Sequence, residues 1–443
     1  MPGAAYLSGP RVLRWARICL PLAGAAGAFC PALVRAQNVS TIVAPAIAPD
    51  YARDRNVSVT ERAHPDFDAL GVRLGGFLAF PSLAVSTAVT DNAYLDNSVK
   101  TSDVYAVINP AVRVQSDWNN HRLVLEATGD VRRYANETLR NQNGWLTGAS
   151  GRLDVTRDVA INTEVQLGRI YENPFTDDIT SNVTVLSNYL RKSAALRASY
   201  TAGRLRLTAS TDFLGFRFNT LNFADGSSRS QAFRNRDAVR GGVLAEYAVS
   251  PAISYFAQVN VDNTNYVADL NGLPNRDSTG VLAIAGTNFD IPGVMRGSFG
   301  LGYTWRNYKA LRFKDKSGLS MQAKADFFIS PITTLGVSAQ RVIQDASIGN
   351  GAAFTDTRVA AQVDHELLEN LLLNTTLSFV RQRLLDTQSY ADVIQASARA
   401  RFQMTRSLGF SANVSYGEGN PKGTGLGREF NEFRGLLSVT LRR

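Results

Sequence analysis

Alternation of apolar and polar residues between Asp392 and Tyr416 constrains the fold of this chain more than any other feature. In its first half every second residue is apolar, from Ile394 to Phe402, and polar or charged residues lie between them. After a four-residue break, the alternation resumes at Leu408. A two-residue period places successive side chains on opposite faces of a strand, so the stretch predicts two antiparallel β-strands joined by a tight turn.

The length and polarity of these two strands favour a membrane environment. Each strand has about ten residues, the length that a tilted strand needs to cross a bilayer. Strands of soluble proteins usually have about 5–6 residues. The second face is polar along its whole length, as expected for a barrel with lipid outside and water inside. The unit therefore predicts a transmembrane β-barrel.

The composition excludes a helical membrane protein. Of the 443 residues, 44% are hydrophobic, but no apolar run is long enough for a transmembrane helix. A backbone crosses lipid only as a helix or as a closed barrel, so the closed barrel is the membrane-spanning fold that is still possible. Both cysteines, Cys19 and Cys30, lie near the N-terminus. A mature chain that starts beyond them has no disulfide and no cysteine metal site.

Residues 1–36 have the pattern of a secretory signal peptide. Three arginines precede an apolar run from Ile18 to Phe29, and Val34 and Ala36 stand at the two positions that a signal peptidase reads. We expect cleavage near Ala36. The formal charge of +9 then falls to +5, because the removed segment holds four arginines and no acidic residue. Residues 37–76 are polar with little periodicity, and we expect a periplasmic extension or a plug there.

The hairpin unit repeats over residues 77–443. Tight turns recur about every 41 residues, which suits two strands, a turn and a longer loop. Eight of them fall near Asn119, Arg157, Gly203, Pro251, Pro292, Pro331, Asn370 and Arg406. With an opening strand near Leu83–Tyr94 and a closing strand at Phe433–Leu441, the count is 18. We predict an all-β fold, an antiparallel up-and-down transmembrane barrel of 16–18 strands with 18 favoured.

The polar rows carry more basic than acidic residues. These charges must face the lumen, because Lys or Arg at the bilayer midplane costs about 2–4 kcal/mol. The predicted basic row consists of Arg132, Arg204, Arg206, Arg240, Arg296, Arg306, Lys324, Arg399 and Arg401, and the inward acids are Glu126, Asp130, Asp212, Glu246 and Asp326. A positive surplus favours anions, including acidic sugars. The alternative is that these charges pair across strands and only solvate the wall.

No residue pattern predicts a catalytic, cofactor or metal site. The histidines, His64, His121 and His365, lack the spacing of metal ligands. The glycine-rich run 423–427 lacks the Lys-Ser/Thr of a phosphate-binding loop. The basic residues alternate along strands and do not cluster, which argues against nucleic-acid binding.

Several segments resemble a known family. They are PDFDALGVRLGGFLAFPSL at 65–83, NPAVRVQSDW at 109–118, GRLDVTRD at 151–158 and VDHELLENLLL at 363–373. Together they are similar to the beta-barrel porin 2 family of proteobacterial outer-membrane proteins, over about residues 58–443. The resemblance implies an outer-membrane barrel associated with exopolysaccharide synthesis and export, and it brings no catalytic residues.

These observations predict a porin-like channel of the Gram-negative outer membrane that serves exopolysaccharide export, without enzymatic activity or cofactor. The expected partners are outer-membrane lipid and lipopolysaccharide, the barrel-assembly machinery, and exopolysaccharide or its export proteins. One alternative is a structural or polysaccharide-binding barrel with a plugged lumen, which would conduct ions only after deletion of its N-terminal segment. The other is an outer-membrane hydrolase, which would need a Ser/His/acid cluster on neighbouring strands.

Overall fold

The computed structural model describes residues 56–173, 186–223, 226–346, 351–387, 389–423 and 429–443. The predicted signal peptide, its cleavage site and residues 37–55 of the predicted extension lie outside the described residues. Within the described ranges no helix is long and apolar enough to span a membrane. The helical content there consists of two short 3-10 helices, Thr138–Arg140 and Ala232–Arg234.

Long antiparallel strands form the wall of the molecule. The strands of the described residues are β1 (Val72–Leu74), β2 (Phe77–Thr90), β3 (Asp103–Ser116), β4 (Arg122–Tyr134), β5 (Gln142–Asp154), β6 (Val159–Tyr171), β7 (Asn188–Ala202), β8 (Leu205–Phe218), β9 (Leu221–Asn222), β10 (Ser228–Arg229), β11 (Arg236–Ser250), β12 (Ile253–Tyr266), β13 (Ser278–Ile291), β14 (Met295–Tyr308), β15 (Lys316–Ser330), β16 (Thr333–Asp345), β17 (Ala353–Leu368), β18 (Leu371–Leu384), β19 (Tyr390–Gln403), β20 (Leu408–Lys422) and β21 (Phe430–Arg442).

The long strands close into a barrel. Each pairs with its neighbours in the chain, and β21 pairs with β2 from Ser82↔Arg442 to Thr90↔Arg434. The short strand β1 pairs with the start of β2, and β9 pairs with β10 inside the connection between β8 and β11. Among the described residues the wall therefore has 18 strands, which confirms the predicted antiparallel up-and-down barrel and the favoured count.

The predicted turns agree with the structure, whereas the predicted strand lengths were too short. All eight tight turns fall between the predicted pairs of strands. The long strands have 13–16 residues, however, and the first runs from Phe77 to Thr90 instead of the predicted Leu83–Tyr94. Near the strand ends both faces carry polar residues, so hydropathy no longer marks the strand there. The strands extend beyond the roughly ten residues that cross lipid.

The two faces of the wall differ as the alternation predicts. Leu301, Trp305 and Leu319 are exposed on the outside, where lipid would cover them, and their neighbours in sequence face the lumen. Exposed aromatic residues lie toward strand ends, as in the interfacial belts of membrane proteins. They include Tyr200, Tyr247, Tyr303, Trp305 and Tyr416.

The inward face is densely packed on one side of the barrel. Gly286 and Gly300 are cross-strand partners on β13 and β14. A Cβ atom at either position would lie within 3.0 Å of the tip of the Phe256 ring from β12, so only glycine leaves room for this ring. Buried polar residues continue the packed surface along β12 and β13, among them Ser254, Gln258, Asn260 and Asn288. Open space in the lumen therefore lies toward the other strands.

Neighbouring residues of β18 test the assignment of the faces. Leu377 is 55% exposed and faces outward near the middle of its strand, whereas Thr376 faces inward. We expect Leu377→Arg to destabilise the barrel in phospholipid vesicles by about 2–4 kcal/mol, because it places a charge in lipid. Thr376→Arg, the matched control, should cost much less. Urea titration of vesicle-folded protein measures both, and equal losses would contradict the assignment.

Candidate functional site

A buried ion network fills the lumen on the packed side. Arg306 of β14 donates to Asp262 Oδ2 over 2.9 Å and to Asp345 Oδ2 over 3.0 Å, and its side chain is only 3% exposed. The Tyr308 hydroxyl donates to Asp345 Oδ1 over 2.7 Å. The network joins β12, β14 and β16. Because a guanidinium presents several donors in one plane, a single arginine can hold two carboxylates in fixed positions.

Three other residues of the predicted basic row are also paired with carboxylates. Arg132 donates to Asp130 over 2.9 Å, Arg296 donates to Asp326 over 3.0 Å, and Arg240 lies 3.9 Å from Asp212. With Arg306, four of the nine predicted basic residues therefore have their charge offset by inward carboxylates.

The remaining predicted residues occupy different places. Arg204 lies in the turn between β7 and β8, exposed at the edge of the barrel and not on the lumen wall, because Gly203 and Arg204 make the connection themselves. Arg206 hydrogen-bonds Thr201 over 3.4 Å. Lys324 faces the lumen and is exposed. The nine residues therefore do not form one continuous row.

Arg399 and Arg401 lie in a different environment, on β19. The positive charges of Arg399 and Arg442 repel that of Arg401, and the negative charge of Asp68 attracts it. The neighbouring inward residues of β18–β20 carry hydroxyl and amide groups and are only half-buried. We call this surface the polar track, which consists of Asn374, Thr376, Ser378, Gln395, Ser397, Arg399, Arg401, Ser411, Asn413 and Ser415. Its side chains are less deeply buried than that of Arg306.

The N-terminal residues 56–68, here called the strap, begin against the packed side of the barrel, at its tight-turn end. The Asn56 side chain hydrogen-bonds Asp290 and accepts from the Gly293 amide over 2.8 Å. Arg296 donates to the Asn56 carbonyl over 2.9 Å. Val59 is 1% exposed, and its amide donates to Thr334 Oγ1 over 3.2 Å. The start of the strap is thus buried against inward side chains of β13–β16.

The strap continues across the tight-turn end to the opposite wall. Arg62 pairs with Glu366 of β17 over 2.8 Å. Arg406, in the turn between β19 and β20, donates to the Pro65 carbonyl over 3.1 Å, and Arg442 of β21 donates to the carbonyl of Phe67. These contacts run along the tight-turn end from β13 to β21, and they bring the charge of Asp68 to Arg401 and Arg442.

Glu61 adds an ionic contact to the strap. Its carboxylate accepts from Arg296 Nη2 over 2.7 Å. Burial alone would raise the pKa of Glu61, but the hydrogen bond and charge of Arg296, with hydrogen bonds from Ser58, outweigh it and hold that pKa below its ordinary value. Arg296 thus binds Asp326 of the wall and Glu61 of the strap together.

Loops fold inward at the opposite end of the barrel. Leu95, from the connection between β2 and β3, packs against Val380, Val393 and Phe430. Arg276, between β12 and β13, is fully buried and donates to the Gly351 carbonyl over 2.7 Å. Burial lowers the pKa of Arg276 below its ordinary range. These loops narrow the lumen at this end.

The histidines have ordinary local contacts. His121 accepts from the Asp154 amide over 3.2 Å, His365 hydrogen-bonds Thr333 over 2.8 Å, and His64 lies 3.7 Å from Glu366. Across the described ranges no group of three or more His, Cys, Asp or Glu side chains could hold a metal ion.

Arg442 and Asp68 were missed by the sequence interpretation. Arg442 follows the inward parity of β21, since Leu437 and Leu441 face outward, so its position could have been read from the alternation. The contact with Asp68 joins residues more than 300 positions apart, and no local pattern signals it.

Residues 64–443 match the family described as "Putative beta-barrel porin 2", and the chain belongs to this family. The predicted family is thereby confirmed. A search of curated proteins finds no match. The protein is an outer-membrane, porin-like β-barrel, and its family points to a channel rather than an enzyme. Porins of this kind place their tight turns in the periplasm and their long loops outside the cell.

Solved porins show similar folds at low sequence identity. OpdK of Pseudomonas aeruginosa superposes with a TM-score of 0.44 at 10% identity, covering 82% of this chain and 99% of that one. OccAB4 of Acinetobacter baumannii gives a TM-score of 0.43 at 10% identity, covering 86% of this chain and all of that one. These superpositions are too loose for any function to transfer.

Removal of the Arg306 side chain should lower the stability of the barrel. Arg306→Ala leaves Asp262 and Asp345 buried without their cation, so we expect a loss of about 3–5 kcal/mol in the free energy of unfolding. Arg152→Ala is the matched control, because Arg152 pairs with Asp154 at an exposed site and its loss should cost about 0–1 kcal/mol. Denaturant unfolding in vesicles compares them. A small effect for Arg306→Ala would mean that the carboxylates find other partners.

Docking of the strap should depend on pH through Glu61. A lowered pKa means that docking favours the ionised form, so its contribution is complete above about pH 4.5 and is lost as the pH falls through the lowered value. A fluorophore on Thr60→Cys would report release in acid. Glu61→Gln should abolish the acid step. A step that persists in Glu61→Gln would assign the transition to another carboxylate, such as Glu366 or Asp290.

Proposed function

We propose that this outer-membrane barrel is a passive channel for hydroxyl-rich solutes and that it serves exopolysaccharide export. The observation that supports the proposal is the polar track, whose half-buried side chains present hydroxyl and amide groups to the lumen. Such groups both donate and accept hydrogen bonds, as sugar hydroxyls do, and they can replace the water around a passing saccharide.

The charge of the track favours anionic solutes. Arg399, Arg401 and Arg442 lie together near the periplasmic mouth, and the carboxylate that offsets them belongs to Asp68 of the strap. On the packed side, by contrast, the guanidinium of Arg306 is bound by carboxylates of the wall. A local surplus of positive charge raises the concentration of anions in a narrow passage. Acidic saccharides are the cargo that combines both properties.

A second candidate function rests on the strap. Its contacts follow the periplasmic mouth from β13 to β21, and Asn56 and Val59 are buried there. A barrel closed in this way would be a polysaccharide-binding or structural protein. The two candidates differ in a measurable property, because a closed barrel conducts ions only when the strap is removed.

Single-channel conductance in planar bilayers tests the proposal. We expect the mature chain to conduct with a preference for anions, and Arg399→Glu/Arg401→Glu to reduce or reverse that preference, because the track then carries negative charge. The matched control is Arg73→Glu/Arg157→Glu, which makes the same charge change at exposed positions near the same mouth and should leave the selectivity close to that of the wild type.

Deletion of residues 37–71 separates the candidates. A silent mature chain that conducts after this deletion would favour the closed, polysaccharide-binding barrel. A correctly folded barrel that stays silent after the deletion would overturn the channel. Heat-modifiable migration on gels checks the folding of each variant.

A further inference from the structure

Basic residues face outward near the extracellular ends of four strands, on the lipid-facing side of the wall. They are Arg133 of β4, Arg169 of β6, Lys192 of β7 and Arg217 of β8, here called the basic patch. Arg133, Arg169 and Lys192 are exposed, and Arg217 is half-buried. Each has the parity of an exposed apolar residue on its own strand, in the same order Leu125, Val165, Leu196 and Phe213. The alternation that directs other charges into the lumen thus directs these four toward the membrane.

The basic patch lies at the height of the outer lipid head groups. β4 and β8 both start at periplasmic turns, and Arg133 and Arg217 are each the last residue but one of their strands. Because about ten residues of a tilted strand cross the lipid, the extracellular ends of these 13- and 14-residue strands lie at the interface. A basic side chain is costly at the bilayer midplane but costs little at the interface. Lys192 is the deepest of the four, and its long side chain can reach the same level.

The register of the strands brings the basic side chains together. Leu190 of β7 pairs with Arg169 on one side and with Arg217 on the other, and Lys192 is the next outward residue of β7. Lys192 is therefore a diagonal neighbour of both arginines, at about 7–8 Å between Cα atoms. On the other side of Arg169, Trp145 of β5 is its cross-strand partner. Three cations and an aromatic side chain thus share one continuous surface, as at membrane interfaces.

Carboxylates balance little of the charge of this surface. Among the described residues, the outward positions of β4–β8 and β11 include one acid, Asp237, which accepts from two guanidinium nitrogens of Arg217 over 2.9 and 2.6 Å. No ion pair between described residues involves Arg169 or Lys192. The backbone carbonyl of Arg169 lies beside Gly144 on the lumen side, whereas its side chain lies on the outer face. The charges of Arg169 and Lys192 are therefore available to an anion in the membrane.

Arg133 extends the basic patch with a charge that is held by neutral groups. Its guanidinium donates to two backbone carbonyls, each over 2.8 Å, and to the side chain of Asn143. These contacts fix the direction of the guanidinium without neutralising it. Asn143 and Trp145 are successive outward residues of β5, so Arg133 and Arg169 flank the same strand.

We propose that the basic patch binds the phosphate groups of one lipopolysaccharide molecule in the outer leaflet. Guanidinium groups bind phosphate with paired hydrogen bonds, and the lysine ammonium adds a compact charge. A phospholipid brings a single phosphate, whereas lipopolysaccharide carries several, which suits cations spread from β4 to β7. Its acyl chains lie along the apolar residues below the patch, such as Val165 and Leu196. The site does not depend on which solute crosses the lumen.

Native mass spectrometry of the detergent-folded barrel counts bound lipids and tests the site. The probe is lipid A with two phosphates, and the comparison lipids are lipid A with one phosphate and phosphatidylglycerol. We expect the wild type to bind the probe at least fivefold more tightly than either comparison lipid, because a second phosphate engages more of the patch. Arg169→Gln/Lys192→Gln should weaken binding of the probe at least tenfold, since it removes two charges that no carboxylate of the described residues pairs with.

Arg157→Gln/Arg204→Gln is the matched control, because it removes the same charge from the periplasmic turns that precede β6 and β8. This variant should bind the probe as the wild type does, and heat-modifiable migration on gels verifies the folding of both variants. Wild-type affinity in Arg169→Gln/Lys192→Gln, or equal weakening in the control, would overturn the site. Equal binding of the three lipids by the wild type would overturn it as well, and that result requires no variant to fold.

Discussion

Every backbone donor and acceptor that enters lipid must find its partner within the protein, and the rest of this structure depends on that constraint. The pairing of β21 with β2 removes the last open edge of the sheet. Closure also divides the side chains into two populations, since successive residues of a strand must face either lipid or lumen. The lipid face can only be apolar. Whatever specificity the protein has must therefore come from the lumen and its mouths.

Charges in the lumen follow from the same division. A strand that needs polar inward residues can carry arginine there, but a guanidinium that loses its water must gain a carboxylate or pay a large desolvation cost. Arg306, with Asp262 and Asp345, shows one outcome, in which the wall becomes a rigid, neutral network. Arg401 shows the other, in which burial and two neighbouring cations are opposed by the charge of Asp68 in the strap. Because the ion network fills one side of the lumen and the polar track lines another, the open part of the lumen lies away from the barrel axis.

Local physics made most of the fold predictable. Strand identity, face and turn position depend on alternation and on prolines such as Pro251, Pro292 and Pro331, which are features of neighbouring residues. The inward direction of Arg399 and Arg401 followed from the same alternation. The ion pairs could not be predicted from alternation, because the partners of Arg306 lie on other strands, 39 and 44 residues away in sequence.

Arg296 holds the strap against a wall of which the strap is not a part. Its guanidinium binds Asp326 of the wall over 3.0 Å and Glu61 of the strap over 2.7 Å. Without the strap, Arg296 would keep the wall carboxylate of Asp326, whereas Glu366 of β17 would lose its partner Arg62. Arg401 and Arg442, in contrast, lose the charge of Asp68. The strap therefore bears differently on the two sides of the barrel: it adds a second carboxylate to an arginine that the wall already pairs on the packed side, and it supplies the charge of Asp68 to Arg401 and Arg442 near the polar track.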